Sequence, residues 1–77
     1  MTELVLYTTV GCHLCDQAEA MLHSLRAQHP FRLLTTDIAN DEALMERYGM
    51  RIPVVRNEAR AQELGWPFQP EDLLKLF

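Results

Sequence analysis

Leu4-Val5-Leu6-Tyr7-Thr8-Thr9-Val10-Gly11-Cys12-His13-Leu14-Cys15 is the stretch that decides the fold. Its first four residues form a short continuous apolar run, the pattern of a β-strand covered on both faces. Thr8 to Gly11 breaks that run. From Cys12 the apolar period changes, and Leu14, Ala18, Met21, Leu22 and Leu25 fall on one face of a helix, with Asp16, Gln17 and Arg26 elsewhere. His29-Pro30 ends the helix, because proline disfavours helix in the residue before it and has no N–H to donate. A cysteine pair therefore opens a helix directly after a strand.

Phe31–Thr36 reads as a second strand carrying Leu33 and Leu34. The polar residues 37–41 lead into a second helix, with Asn40 the preferred N-cap and Asp41 and Glu42 in a first turn where negative charge suits the dipole. That helix holds Leu44, Met45 and Tyr48, and Gly49 is its expected C′ stop. Met50–Val55 is extended, with Pro53 at or near the start of a strand, and a turn around Asn57 leads to a fourth strand over Arg60–Leu64. A last helix begins near Pro70, with Gln69 as N-cap and a hydrophobic staple between Phe68 and Leu73. Leu73, Leu76 and Phe77 face the core. The order βαβαββα predicts parallel pairing of the first two strands through a right-handed crossover, and a hairpin from the last two.

The 77 residues suit one domain, 1–77. Eleven acids against seven bases give a net charge of −4. The bases (Arg26, Arg32, Arg47, Arg51, Arg56, Arg60, Lys75) are scattered, so neither nucleic acid nor an anionic membrane is an expected partner. No run approaches the roughly eighteen apolar residues of a membrane span. Met1-Thr2-Glu3 lacks the basic region of a signal peptide, which makes the cytoplasm the expected location.

The chain has two cysteines, whereas a small secreted scaffold normally spreads four or more. A bridge between positions i and i+3 closes a very short loop and contributes little to stability. The pair therefore asks for a chemical explanation. A helix N-terminus presents unpaired N–H groups and partial positive charge, which stabilises a thiolate and lowers its pKa. Cys12, at the start, is the expected nucleophile; Cys15, one turn on, is placed to attack a mixed disulfide on Cys12. A structural zinc needs two further ligands, and His13, His23 and His29 lack finger-like spacing, so no metal site is expected. His13 is either a solvent-facing polar residue or a cation that supports the Cys12 thiolate.

The pattern Tyr7-Thr8-Thr9-Val10-Gly11-Cys12-His13-Leu14-Cys15, followed by Ile52-Pro53-Val54 and a late Gly65, resembles the glutaredoxin branch of the thioredoxin-fold superfamily over essentially the whole chain. It is most similar to short bacterial glutaredoxin-like proteins with a Gly-Cys-His-Leu-Cys stretch and a Trp-Pro-Phe near the end, here Trp66-Pro67-Phe68. The resemblance implies an α/β, thioredoxin-like fold with a four-stranded mixed sheet flanked by helices, and a thiol–disulfide oxidoreductase. It implies a cis Pro53 beside the cysteines, leaving the Ile52 backbone free to pair with a peptide or glutathione by strand addition. Gly11, His13, Leu14, Arg51, Ile52, Pro53, Gly65 and Trp66 would then line the substrate groove. Arg51 is either a carboxylate-binding residue for glutathione or an exposed cation; Trp66 fills the groove or offers an aromatic surface to a protein. The resemblance further implies no bound cofactor, glutathione or thioredoxin reductase as electron donor, a disulfide-containing protein or glutathione mixed disulfide as partner, and a monomer.

The sequence departs from the usual family pattern at several points. His13-Leu14 replaces Pro-Tyr, Thr8-Thr9-Val10 supplies no Lys before the first cysteine, and Arg51-Ile52-Pro53 stands for Thr-Val-Pro. Gly65-Trp66 replaces a glycine pair, and Leu6 replaces the acid that thioredoxins bury beneath the site. These changes bear on glutathione use and leave thiol–disulfide exchange untouched. The alternative is a non-catalytic thiol module that docks a partner or holds an iron–sulfur cluster through Cys12.

Overall fold

Successive side chains of a strand point to opposite faces, and the first strand, β1 (Glu3–Thr8), uses this to build two cores. Leu4 and Leu6 face one side and are fully buried; Val5 and Tyr7 face the other. The computed structural model describes residues 1–77. After β1 come α1 (His13–Arg26), β2 (Arg32–Asp37), α2 (Glu42–Tyr48), β3 (Val54–Asn57), β4 (Gln62–Gly65) and α3 (Pro70–Leu73). Short 3₁₀ turns cover Ile38–Asn40, Glu58–Arg60 and Leu74–Leu76.

The sheet order is β2-β1-β3-β4. β1 runs parallel to β2, with Leu4 opposite Leu33, and antiparallel to β3, with Tyr7 opposite Val54. β3 and β4 form the hairpin, with Val54 opposite Gly65. On one face, Leu4, Leu6 and Val55 pack with Ala18, Leu22 and Leu25 of α1 and with Phe68, Leu73 and Leu76. On the other, Tyr7, Val54 and Ile38 pack with Tyr48 and Leu44 of α2. The expected mixed sheet with helices on both faces is present.

Several boundaries and packing assignments move. Cys15, Ala18, Leu22 and Leu25 form the buried stripe of α1, whereas Leu14 is 42% exposed. Extending the stripe one turn back from Ala18 lands on Cys15, and Leu14 is turned about 100° away. Asp41, not Asn40, caps α2: its Oδ1 accepts from the N–H groups of Ala43 (2.9 Å) and Leu44 (3.2 Å). Asn40 is used by the preceding 3₁₀ turn. Gly49 keeps a right-handed conformation instead of the left-handed C′ form. It is glycine for room, since a Cβ there would collide with the Met45 carbonyl oxygen. Met50–Pro53 is loop, and β3 starts only at Val54. β4 starts at Gln62 because Glu58–Arg60 coils into a 3₁₀ turn and Ala61 takes a left-handed conformation, φ 51°.

The last helix is as expected at its start. Pro70 occupies the first turn, and the Gln69 N–H donates to Asp72 Oδ2 at 2.8 Å, a reciprocal cap.

Candidate functional site

The path from β1 to α1 is Thr9-Val10-Gly11. Gly11 has φ +82° with no atom within 4 Å of where a Cβ would lie. Its glycine answers a backbone requirement, not a crowded one. The turn delivers Cys12 to the N-cap of α1 in an extended conformation. There the Cys12 Sγ accepts the Cys15 N–H at 3.1 Å, the role usually filled by a Ser or Asp oxygen. The Cys12 carbonyl accepts the Asp16 N–H at 3.2 Å and begins the helical ladder. Cys12 and Cys15 are joined in a disulfide, with their Cα atoms 5.2 Å apart. Cys12 is half-buried while Cys15 is 2% exposed, so Cys12 presents the reachable sulfur. His13 and Leu14 lie exposed between them.

Pro53 enters from the other side of the chain. Its peptide bond to Ile52 is cis, as is Trp66-Pro67. Continuing the β1–β3 register one step past Tyr7–Val54 sets Pro53 opposite Thr8, at the end of β1 from which the cysteine turn departs. The Pro53 carbonyl accepts the Trp66 N–H at 3.0 Å, and Gly65 lies opposite Val54. Thus the cysteine turn, Pro53, Gly65 and Trp66 share one end of the sheet. The Ile52 backbone is only half free. Its N–H is already given to the Tyr48 carbonyl at 3.1 Å, beside the Arg51 N–H at 2.8 Å. The Ile52 carbonyl accepts no hydrogen bond. The expectation of a wholly free Ile52 backbone is thereby corrected: the loop closing α2 consumes the donor. Trp66 is half-buried, with its ring edge-on to Phe68 at 5.1 Å.

Arg51 is neither free nor merely exposed. Its Nη1 donates to Glu63 Oε2 at 3.0 Å, and its guanidinium lies 5.6 Å from the Tyr48 ring centre. Glu63 also accepts from the Tyr48 hydroxyl (3.0 Å) and Arg56 Nη1 (2.6 Å), both on Oε1. Arg56 Nε reaches Glu58 at 2.7 Å, and Tyr7 stacks on Tyr48 with ring centres 4.5 Å apart. Burial alone would raise the Glu63 carboxyl, yet the hydrogen bonds from Tyr48, Arg56 and Arg51 hold it below the ordinary value. Burial and the neighbouring Glu63 push the Tyr48 phenol up, so its hydroxyl stays a donor. Reading the sequence did not find this network. Its one advance signal is the cross-strand pair Arg56–Glu63, visible only once the hairpin register is known.

No group of three His, Cys, Asp or Glu side chains converges as a metal cluster would. The largest depression, about 720 Å³, lies at the opposite end of β1, beside Met1, Glu3, Asn57 and Phe77. Neither Cys12 nor Cys15 lines a depression of the surface.

Residues 3–77 match the family model described as Glutaredoxin-like domain (DUF836). The chain belongs to the glutaredoxin-like domain family. Among solved structures, this glutaredoxin-like chain is similar to protein XcR50 from X. campestris, at 41% identity and TM-score 0.78, covering 91% of this chain and 88% of that one. It is also similar to Ne2328 from Nitrosomonas europaea, at 32% identity and TM-score 0.82, covering 96% and 87%. A structure described as a malarial protein, at 16% identity and TM-score 0.72 over 99% and 92%, shares the fold. No curated protein matches the sequence. The glutaredoxin-like chain has the α/β, thioredoxin-like architecture, with its CxxC pair in disulfide distance.

Proposed function

We propose that this glutaredoxin-like domain is a thiol–disulfide oxidoreductase in which Cys12 attacks and Cys15 resolves. The observation that carries the reading is the Cys12 sulfur held as a hydrogen-bond acceptor at the start of α1, bonded to a buried Cys15. In the reduced protein the Cys15 N–H and the helix N-terminus would favour a thiolate over a thiol at Cys12. That thiolate attacks one sulfur of a substrate disulfide, forming a mixed disulfide and expelling the first substrate thiolate. Cys15, deprotonated, then attacks Cys12 Sγ, forming the Cys12–Cys15 disulfide and expelling the second. Two electrons pass from the dithiol to the substrate; glutathione or a reductase returns them. The expected setting is the cytoplasm, acting as a monomer on a disulfide-containing protein or a glutathione mixed disulfide.

Disulfide reductase turnover is the test. Cys12→Ser should abolish it, and Cys15→Ser should trap a mixed disulfide detectable by mass. Full turnover by Cys12→Ser refutes the assignment. Anaerobically purified protein with visible charge-transfer absorbance would instead favour an iron–sulfur module built on Cys12. Thiolate absorbance in the far ultraviolet should appear at lower pH in the folded protein than in the unfolded chain.

A further inference from the structure

Arg51 stands two residues before the cis proline, at the end of the sheet that carries the cysteines. Gly65 has no side chain, and the point where a Cβ would lie is 3.6 Å from Arg51 Nη2. The Arg51 side chain is 48% exposed. An accessible guanidinium whose planar fork matches a carboxylate is a docking point for one. Here a carboxylate is already in place, with Glu63 Oε2 at 3.0 Å. Glu63 cannot swing aside freely, because its other oxygen is held by the buried Tyr48 hydroxyl and by Arg56, whose side chain is 15% exposed. One oxygen is anchored toward the interior and the second is offered to Arg51. The depressed Glu63 carboxyl keeps this charge in place at neutral pH.

We propose that Glu63 is a specificity-determining residue, an internal carboxylate that occupies Arg51 and turns the cysteine site away from anionic thiols such as glutathione and toward protein disulfides. The proposal rests on the dithiol reading above, but its first test does not depend on it.

S-methylglutathione carries the carboxylates of glutathione and no free thiol, so its binding involves no exchange chemistry. Its dissociation constant, read by NMR titration, should fall roughly two- to fivefold in Glu63→Gln, the range of an exposed ion pair. The gain should vanish in the double variant Arg51→Gln with Glu63→Gln. Equal affinity of wild type and Glu63→Gln overturns the proposal, as does a gain that survives loss of Arg51. In a second arm, glutathione and uncharged 2-mercaptoethanol reduce the Cys12–Cys15 disulfide, each by donating two thiols and leaving as its own disulfide. The glutathione-to-mercaptoethanol rate ratio should rise by a similar factor in Glu63→Gln, and an unchanged ratio counts against the proposal. If Glu63→Gln loses its native near-ultraviolet circular dichroism, Glu63→Asp is read the same way: it leaves a charge for Arg56 and Tyr48 but is one methylene short of Arg51. Failure of the oxidoreductase assignment shows at Cys12→Ser and leaves the titration result standing.

Discussion

The two faces of the sheet are built from different materials. The face under α1 and α3 is a ten-residue apolar cluster running from Leu4 to Leu76, with no charged group inside it. The face under the short α2 has four buried residues, two of them tyrosines, and completes itself with the Tyr48–Glu63–Arg56–Arg51 network. It also leaves Leu34 and Met45 42% and 47% exposed. The apolar face holds the helix that carries the disulfide; the polar face holds the loop that carries Ile52 and Pro53. Non-directional burial fixes the cysteines in place. Directional hydrogen bonds fix the charges of the polar face.

The contrast is broken most severely on the apolar side. Leu22→Ala, at a fully buried position, should cost about 2–5 kcal/mol through lost burial and a cavity, read as a fall in urea midpoint. A loss under about 1 kcal/mol would mean that this core collapses around the gap. On the polar side, Tyr48→Phe keeps the stack on Tyr7 and removes one hydrogen bond to a charged acceptor, so about 1.5–3 kcal/mol is expected. Equality of the two losses would erase the distinction between the faces.

Acid should separate the faces further. Glu63 titrates lower in the folded chain than in the unfolded one, facing Tyr48, Arg56 and Arg51, with Glu58 sharing Arg56. Its stabilisation is therefore present above the unfolded carboxylate value and is lost as pH falls through the lower folded value. The melting-temperature difference between wild type and Glu63→Gln should shrink from about pH 6 to pH 3. A difference that stays constant would remove ionisation from the account. The smallest effect belongs to the uncovered part of the polar face: Leu34→Thr and Met45→Gln should each stay within about 0.5 kcal/mol of wild type.

Element types, the parallel pairing of the first two strands and the closing hairpin were legible from a continuous apolar run at Leu4–Tyr7, a helical stripe at Ala18, Leu22 and Leu25, and proline or glycine at the breaks, whereas the antiparallel pairing of β1 with β3 was not. The cysteine site was legible for the same reason, since its chemistry follows from where a strand meets a helix. What stayed hidden depends on neighbours in space. Asn40 and Asp41 are equally good caps, and the choice falls to Asp41 because the Ile38–Asn40 turn, capped by Asp37 on the Ala39 N–H, uses the other. Leu14 looked like a core residue until Cys15 took the buried stripe. Arg51 could be read as a cation, but not as a paired one, because Glu63 reaches it only across the loop, the hairpin and a left-handed Ala61. The Ile52 N–H was lost to a carbonyl four residues back, a contact that depends on how α2 ends.

Asn57 is buried, and its Nδ2 donates to the Leu76 carbonyl at 2.5 Å while Arg60 reaches the Phe77 carbonyl. In terms of local opening, this makes the β3–β4 turn and the final 3₁₀ turn one cooperative unit. Native-state amide exchange should find the two with matched protection. Loosening the tail would then be felt along the hairpin, as far as the strand that presents Glu63.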